Sequence, residues 1–251
     1  MTRLQSAILA TSLVLGFGRV ALADDDEAKA VIDKAVKALG TPIDAAKPVT
    51  WKAKGKLTLN DNENNFTTKE TAQGTNHFRR EFDAEIDGSP LKGVTVLDGD
   101  KAWRKIGDDS NKLEDDALGN EKRNVYLQIV GQSPSFLKGE GFKIESAEAE
   151  KVDGKPATAL KITGPDAKEF QLFFDKESGL PVKLIATVAD FQGDEYKQET
   201  SFSKYKEFDG VKRATKVETK RNGKKFFDME ITDFKVLDKA DPKTFAEPKG
   251  E

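Results

Sequence analysis

The sequence has no cysteine, one histidine and two methionines. Without cysteine there is no disulfide framework, no thiol nucleophile and no thiol to carry a lipid anchor. The single histidine, His77, leaves the usual zinc ligand sets unfilled, because those need several His or Cys side chains. His77 heads a strand beside Phe78-Arg79-Arg80, and no G-x-S-x-G elbow accompanies it, so a nucleophilic triad has little to stand on. Walker and dinucleotide glycine patterns are missing; Gly139-Glu140-Gly141 is too short and opens a strand, not a helix. No apolar run approaches the roughly 20 residues that a bilayer span requires.

What the chain does have begins with a leader. Arg3 precedes the apolar runs Ala7-Ile8-Leu9-Ala10 and Leu13-Val14-Leu15-Gly16-Phe17, and Ala21-Leu22-Ala23 stands directly before Asp24-Asp25-Asp26. A basic start, a short apolar middle and an A-x-A end read as a secretory signal peptide over 1–23, leaving 24–251 as one exported domain. Taking the leader's two arginines from 41 basic residues leaves 39 against 44 acidic. That balance argues against nucleic acid as a partner, since phosphate binding rests on clustered Lys and Arg. Charged residues at 34% against 37% apolar predict strands with one wet face.

Glu27 to Gly40 reads as an amphipathic helix: Val31, Ile32, Ala35, Val36, Ala38 and Leu39 share a side, and Gly40 with Pro42 supplies the stop. From Pro48 the period becomes two, with Trp51, Ala53, Gly55, Leu57 and Leu59 alternating with Lys52, Lys54, Lys56 and Thr58. A polar loop is expected at Asn60–Asn65, then a weaker strand from Phe66 to Gln73 and a third carrying Phe78, Phe82, Ala84 and Ile86. Turn signals recur at Asp87-Gly88, Asp98-Gly99, Asp153-Gly154, Ser178-Gly179, Gln192-Gly193, Asp209-Gly210 and Asn222-Gly223. Many short strands at even spacing predict one long antiparallel meander, as a barrel or a strongly curved sheet. Lys112 to Val130 interrupts it as one or two short helices. The tail from Asp238 to Glu251 is expected along the surface.

Carboxylates are abundant, so counting alone does not dismiss a paired-acid hydrolase. Most, however, sit beside basic residues at outward positions or in runs such as Asp108-Asp109 and Glu114-Asp115-Asp116, which is how a solvated surface reads. In "VLDGDKAWRK", Asp98 and Asp100 flank a glycine, but the oxygen ligands a calcium loop needs afterwards are replaced by Lys101, Ala102 and Trp103. The stretch reads as hairpin chemistry that presents a tryptophan. Sixteen phenylalanines with Trp51 and Trp103 fall mostly on the inner set of positions. A one-sided sheet with one clear helix and a short insertion as cover must close on itself or leave an apolar cavity.

The order of elements resembles the LolA-like periplasmic lipoprotein-carrier superfamily. The N-terminal helix leads into "VTWKAKGKLTL"; "GTNHFRREF" and "VLDGDKAWRK" follow at the family's spacing; "FFDKESGLPVKL", "YKEFDGVKRATKVETKRNGKKFFDMEITDFKVL" and "DPKTFAEP" match its C-terminal meander and Phe-x-x-Pro end. In those carriers an arginine, usually followed by proline, precedes the Asn-x-Phe of the third strand and ties lid to barrel. Here Gly74-Thr75 stand in its place, and Arg79 and Arg80 come later, so no site is carried over to these positions. The resemblance implies an α+β, mainly β fold: a half-open antiparallel barrel of about ten or eleven strands, its concave face covered by the N-terminal helix and the insertion. The expected function is a non-catalytic, monomeric, periplasmic or secreted protein without a cofactor, holding acyl chains of a lipid or lipoprotein. Trp51, Leu57, Leu59, Phe78, Phe82, Trp103, Phe170, Leu172, Leu184, Phe202, Phe227 and Met229 would line its cavity. The alternative is an envelope sensor or scaffold of the same fold that binds a protein partner and has a filled core.

Overall fold

The computed structural model describes residues 20–249, so all but the last four residues of the segment read as a leader lie outside it. Helix α1 spans Val20–Leu39, beginning seven residues before the expected start, because no breaker separates Val20-Ala21-Leu22-Ala23 from the amphipathic run. Ala28, Ile32, Ala35 and Leu39 form its buried face, and the helix ends at Gly40, which bridges to Val211.

Thirteen strands follow in one antiparallel sheet. They are β1 (Pro48–Leu59), β2 (Asn62–Gln73), β3 (His77–Ile86), β4 (Ser89–Asp98), β5 (Lys101–Ile106), β6 (Asp109–Leu113), β7 (Lys143–Val152), β8 (Lys155–Thr163), β9 (Glu169–Asp175), β10 (Pro181–Ala189), β11 (Glu195–Phe208), β12 (Val211–Arg221) and β13 (Lys224–Val236). The order β6-β5-β4-β3-β2-β1-β13-β12-β11-β10-β9-β8-β7 describes two meanders joined by the pairing of β1 with β13. Ten or eleven strands were expected. The extra ones lie where the pattern is silent: β6, DSNKL, is exposed up to Leu113, and β7, KIESAEAEKV, is largely polar. Both are sheet edges, where polar residues discourage further pairing. The loop expected at Asn60–Asn65 is instead a two-residue turn, Asn60-Asp61, with both residues at positive φ. Asn62 to Asn64 continue the ladder, and Asn64 is buried, accepting a hydrogen bond from the Asp87 backbone N–H.

Between β6 and β7 the chain forms α2 (Asp115–Gln132) and a 3-10 turn at Pro134–Lys138. The insertion is one continuous helix; Gly119-Asn120 costs it about 1 kcal/mol of propensity, which packing of its second half outweighs. From Val125 to Gln132 every residue but Gln128 is buried, so that half is surrounded rather than laid on a surface. Gly131 makes this possible, since a Cβ there would stand 2.9 Å from the ring of Phe202.

The sheet curls around α2. Arg104 on β5 donates to Glu121 at 2.8 Å, and Arg123, two residues along the helix, donates to the Thr187 carbonyl of β10 at 2.8 Å. In a flat sheet, β5 and β10 would lie about 38 Å apart, eight spacings of about 4.8 Å. Two neighbouring side chains of one helix span roughly half that. Gly55 helps β1 follow the bend, because a Cβ at that position would collide with the backbone of Asp228 and Met229 on β13.

Candidate functional site

Strand pairing assigns the concave face. Phe78 faces Leu97, which faces Ala102; Trp51 faces Phe234; Leu184 faces Leu172, which faces Leu160. The twelve residues expected to line a cavity divide into three groups. Trp51, Phe78, Phe170, Leu172, Leu184, Phe202 and Met229 are all buried, in one cluster with Ile32 of α1 and Val125, Leu127 and Val130 of α2. Beneath the helices the concave face is therefore packed with side chains.

Leu57, Leu59, Phe82 and Phe227 lie farther along the same face, beyond the helical cover. Leu57, Phe82 and Phe227 are half-buried against the core, and Leu59 is 36% exposed. Phe82 stacks on Phe66 at 5.5 Å and stands level with Ile106, 47% exposed, across Gly93. This makes a largely apolar trough running from β13 through β1 to β5, continuous with the core, partly open to water and crossed on β2 by Asn64 and Thr68, which pair with Leu57 and Phe82.

Trp103 belongs to neither group. The hairpin turns on Gly99-Asp100, Asp98 pairs with Lys101, and Ala102 therefore takes the inward position. Trp103 faces Val96 on the outer side. The C-terminal tail crosses that side: Phe245 packs against His77 at 5.6 Å, and Lys105 donates to the Lys249 carbonyl. Val96 is fully buried although it points away from the core. A run with apolar residues at both Val96 and Leu97 carries no parity, so the sequence did not reveal which face Trp103 would take.

The polar residues that hold α2 in the half-barrel were not foreseen. Arg80 lies inward, in phase with Phe78 and Phe82, and donates to the Gln128 side chain at 2.5 Å. Gln128 in turn donates to Glu70, a carboxylate buried on β2, which lies 3.3 Å from the Arg80 Nε. Burial alone would lower the pKa of Arg80; Glu70 and Glu121 outweigh it and raise it. At the other end of the helix face, the buried Arg123 bonds to Tyr126, Asp166 and the carbonyls of Thr187 and Glu169. The period-two phase of Arg80 with its phenylalanines was the one sequence signal for this set.

Where the β2–β3 turn approaches the segment after α2, a cleft of about 350 Å³ opens between Gln73–His77 and Phe136, Gly139, Glu140 and Phe142. His77 contacts Asn76 through Nδ1 at 3.0 Å and Asp98 through Nε2 at 3.3 Å, an arrangement without a nucleophile. Among the described residues no group of three or more His, Cys, Asp or Glu is placed to hold a metal. No described helix is long and apolar enough to cross a membrane.

No protein-family model matches the sequence, and none of the curated proteins gives a significant match. Solved structures do. A LolA superfamily protein from Nitrosomonas europaea superposes with a TM-score of 0.59 at 13% identity, covering 86% of this chain and 96% of the other. A putative outer membrane lipoprotein-sorting protein domain from Vibrio parahaemolyticus gives 0.54 at 11% identity over 88% and 97%. A DUF1329 family protein from Desulfovibrio piger gives 0.56 at 13% identity over 87% and 96%. The fold is LolA-like.

Proposed function

We propose that the protein is an exported, non-catalytic envelope protein, with 1–23 as a cleaved leader and 24–251 as one LolA-like domain, that holds the acyl chains of a lipid or lipoprotein. The observation that carries this is the trough at Leu57, Leu59, Phe82 and Phe227. It is a largely apolar surface on the concave face of a curled sheet, continuous with the core and left partly open by the helices. A soluble protein keeps such a surface open for a ligand or partner. An acyl chain suits it, since each buried methylene contributes about 0.8 kcal/mol and no directed polar contact is required. The trough holds the first part of the chain. Deeper insertion requires α2, whose Val125, Leu127, Ile129 and Val130 pack in the core, to shift. A fluorescent fatty acid titrated into the purified protein tests this reading. Saturable binding lost in Phe82→Glu is expected, and absence of binding to the wild type would end the proposal.

A second reading rests on the packed interior beneath α1 and α2. A filled half-barrel suits a scaffold whose trough receives an apolar segment of a protein partner. Displacement of the bound fatty acid by a helical apolar peptide, but not by lipid extracts, would favour it.

A further inference from the structure

Two arginines are buried in the described chain, Arg123 and Arg213. Arg123 has its carboxylate, Asp166, at 2.9 Å. Arg213, on β12, has none: one of its amines donates to Ser133 Oγ at 2.7 Å and to the Gln132 carbonyl at 3.3 Å, and its guanidinium lies 4.8 Å over the ring of Phe234. Its Nε–H, although buried, finds no acceptor, and the side-chain Oε1 of Gln132, the residue whose backbone carbonyl accepts from Arg213, finds no donor. Among the described residues only four buried side-chain polar atoms lack a partner, and two of them belong to this hydrogen-bonded pair of residues at the junction of α2 with the 3-10 turn. The α2 C-terminal carbonyl occupies a single amine and leaves the charge of Arg213 unbalanced. Burial lowers the pKa of Arg213 to about 10, so it stays charged at neutral pH.

Gln132 and Ser133 form one wall of a narrow cleft of about 20 Å³, enclosed by the end of α1, the loop after it and the start of β12. Thr41, Ser133, Ser135 and Lys212 line it beside the apolar Val36, Leu39, Pro42, Ile43 and Val211, and Arg213 adjoins it through its bonds to Ser133 and Gln132. No carboxylate lines it, in a chain with more acids than bases. The space fits the terminal oxygen of a carboxylate or phosphate, not a whole head group. From the buried guanidinium without a carboxylate, the orphaned amide and this acid-free cleft lined by Thr41, Ser133 and Ser135, we infer that the α1–α2 junction is an oxyanion site, in which Arg213 and Ser133 hold a carboxylate or phosphate. A half-turn of the Gln132 amide exchanges its orphaned oxygen for an N–H₂ donor to the same anion. The head group of an acyl ligand is one source of that oxyanion and a free anion is the other. The first rests on the proposed acyl binding; the second does not.

The test compares a fluorescent fatty acid with its methyl ester on the wild type, Arg213→Met and Ser133→Ala, each checked for folding by circular dichroism. Melting in inorganic phosphate is recorded alongside. The wild type is expected to bind the acid at least tenfold more tightly than the ester. Arg213→Met removes the difference while leaving the ester's affinity in place, and Ser133→Ala, which keeps the guanidinium, narrows it. Equal affinity for acid and ester in the wild type, or equal loss of both in Arg213→Met, overturns the head-group assignment. If neither probe binds, the acyl-carrier reading fails, and phosphate decides the site alone. Phosphate raising the melting temperature of the wild type but not of Arg213→Met upholds a free-oxyanion site; no phosphate effect on the wild type overturns it.

Discussion

Replacing Arg123 by methionine tests how α2 is held inside the sheet. The guanidinium is 2% exposed and donates to four groups on separate segments: Asp166 of the β8–β9 turn at 2.9 Å, the Thr187 carbonyl at 2.8 Å, the Glu169 carbonyl at 3.0 Å, and the hydroxyl of Tyr126 on its own helix. Methionine fills most of the volume but leaves the Asp166 carboxylate and two carbonyls without their donor. Asp166 is exposed and keeps its Tyr126 and Lys168 donors, so the loss is that of hydrogen bonds to a charged group, about 1.5–3 kcal/mol. For a domain of this size each kcal/mol moves the melting temperature by about 2–4 °C, so a fall of roughly 3–12 °C is expected by circular dichroism. The loss must also depend on pH. Burial alone would raise the pKa of Asp166; the Tyr126 hydroxyl, the Lys168 backbone N–H and Arg123 outweigh it and hold the carboxyl below its usual range. A group depressed on folding stabilises the protein above its unfolded pKa and loses that contribution as pH falls through its folded pKa. The gap between wild type and Arg123→Met should therefore be full at neutral pH and shrink as acid protonates Asp166. A variant within 1 kcal/mol of wild type at pH 7, or a gap independent of pH, would refute this account of the helix.

Glu63 offers a second titration on the opposite face of the sheet. Lys225 first, then Lys56, hydrogen-bond to its carboxylate and lower its pKa to about 2. A carbon-detected NMR titration should place its midpoint near 2, and Lys225→Met should raise it; a midpoint near 4.5 would show that the exposed pairs do not persist in solution. The two tryptophans test the face assignment. In Trp103→Phe the remaining Trp51, 2% exposed beneath the helices, should change its emission when a fatty acid binds, whereas in Trp51→Phe the outward Trp103 should not respond.

The sequence reads clearly wherever one face of a strand is wet. In β1 the lysines alternate with Trp51, Ala53, Leu57 and Leu59, and each of those apolar residues lies on the concave face. Legibility fails where a second layer covers the outer face. Val96 and Leu97 are both fully buried, one under the sheet and one on the side crossed by the tail, so the parity of Trp103 could not be read locally. It fails again at the edges, where β6 carries no apolar alternation because both of its faces are wet. The interior of α2 is the hardest case. Glu121, Arg123 and Gln132 are buried there, and their partners outside the helix lie 17 to 81 residues away, so little that is local marks them as inward. Arg80 was the readable exception, in phase with Phe78 and Phe82 yet charged. A charge at an inward strand position signals a partner across the core, and here that partner is the helix that plugs the half-barrel.

Acyl binding in the trough is the central claim, and native mass spectrometry of the protein purified from its own envelope tests it most directly. The account predicts a mass increment that dissociates as a lipid and is missing from Phe82→Glu. A bare polypeptide mass in both, with no increment after incubation with envelope lipid, would contradict it.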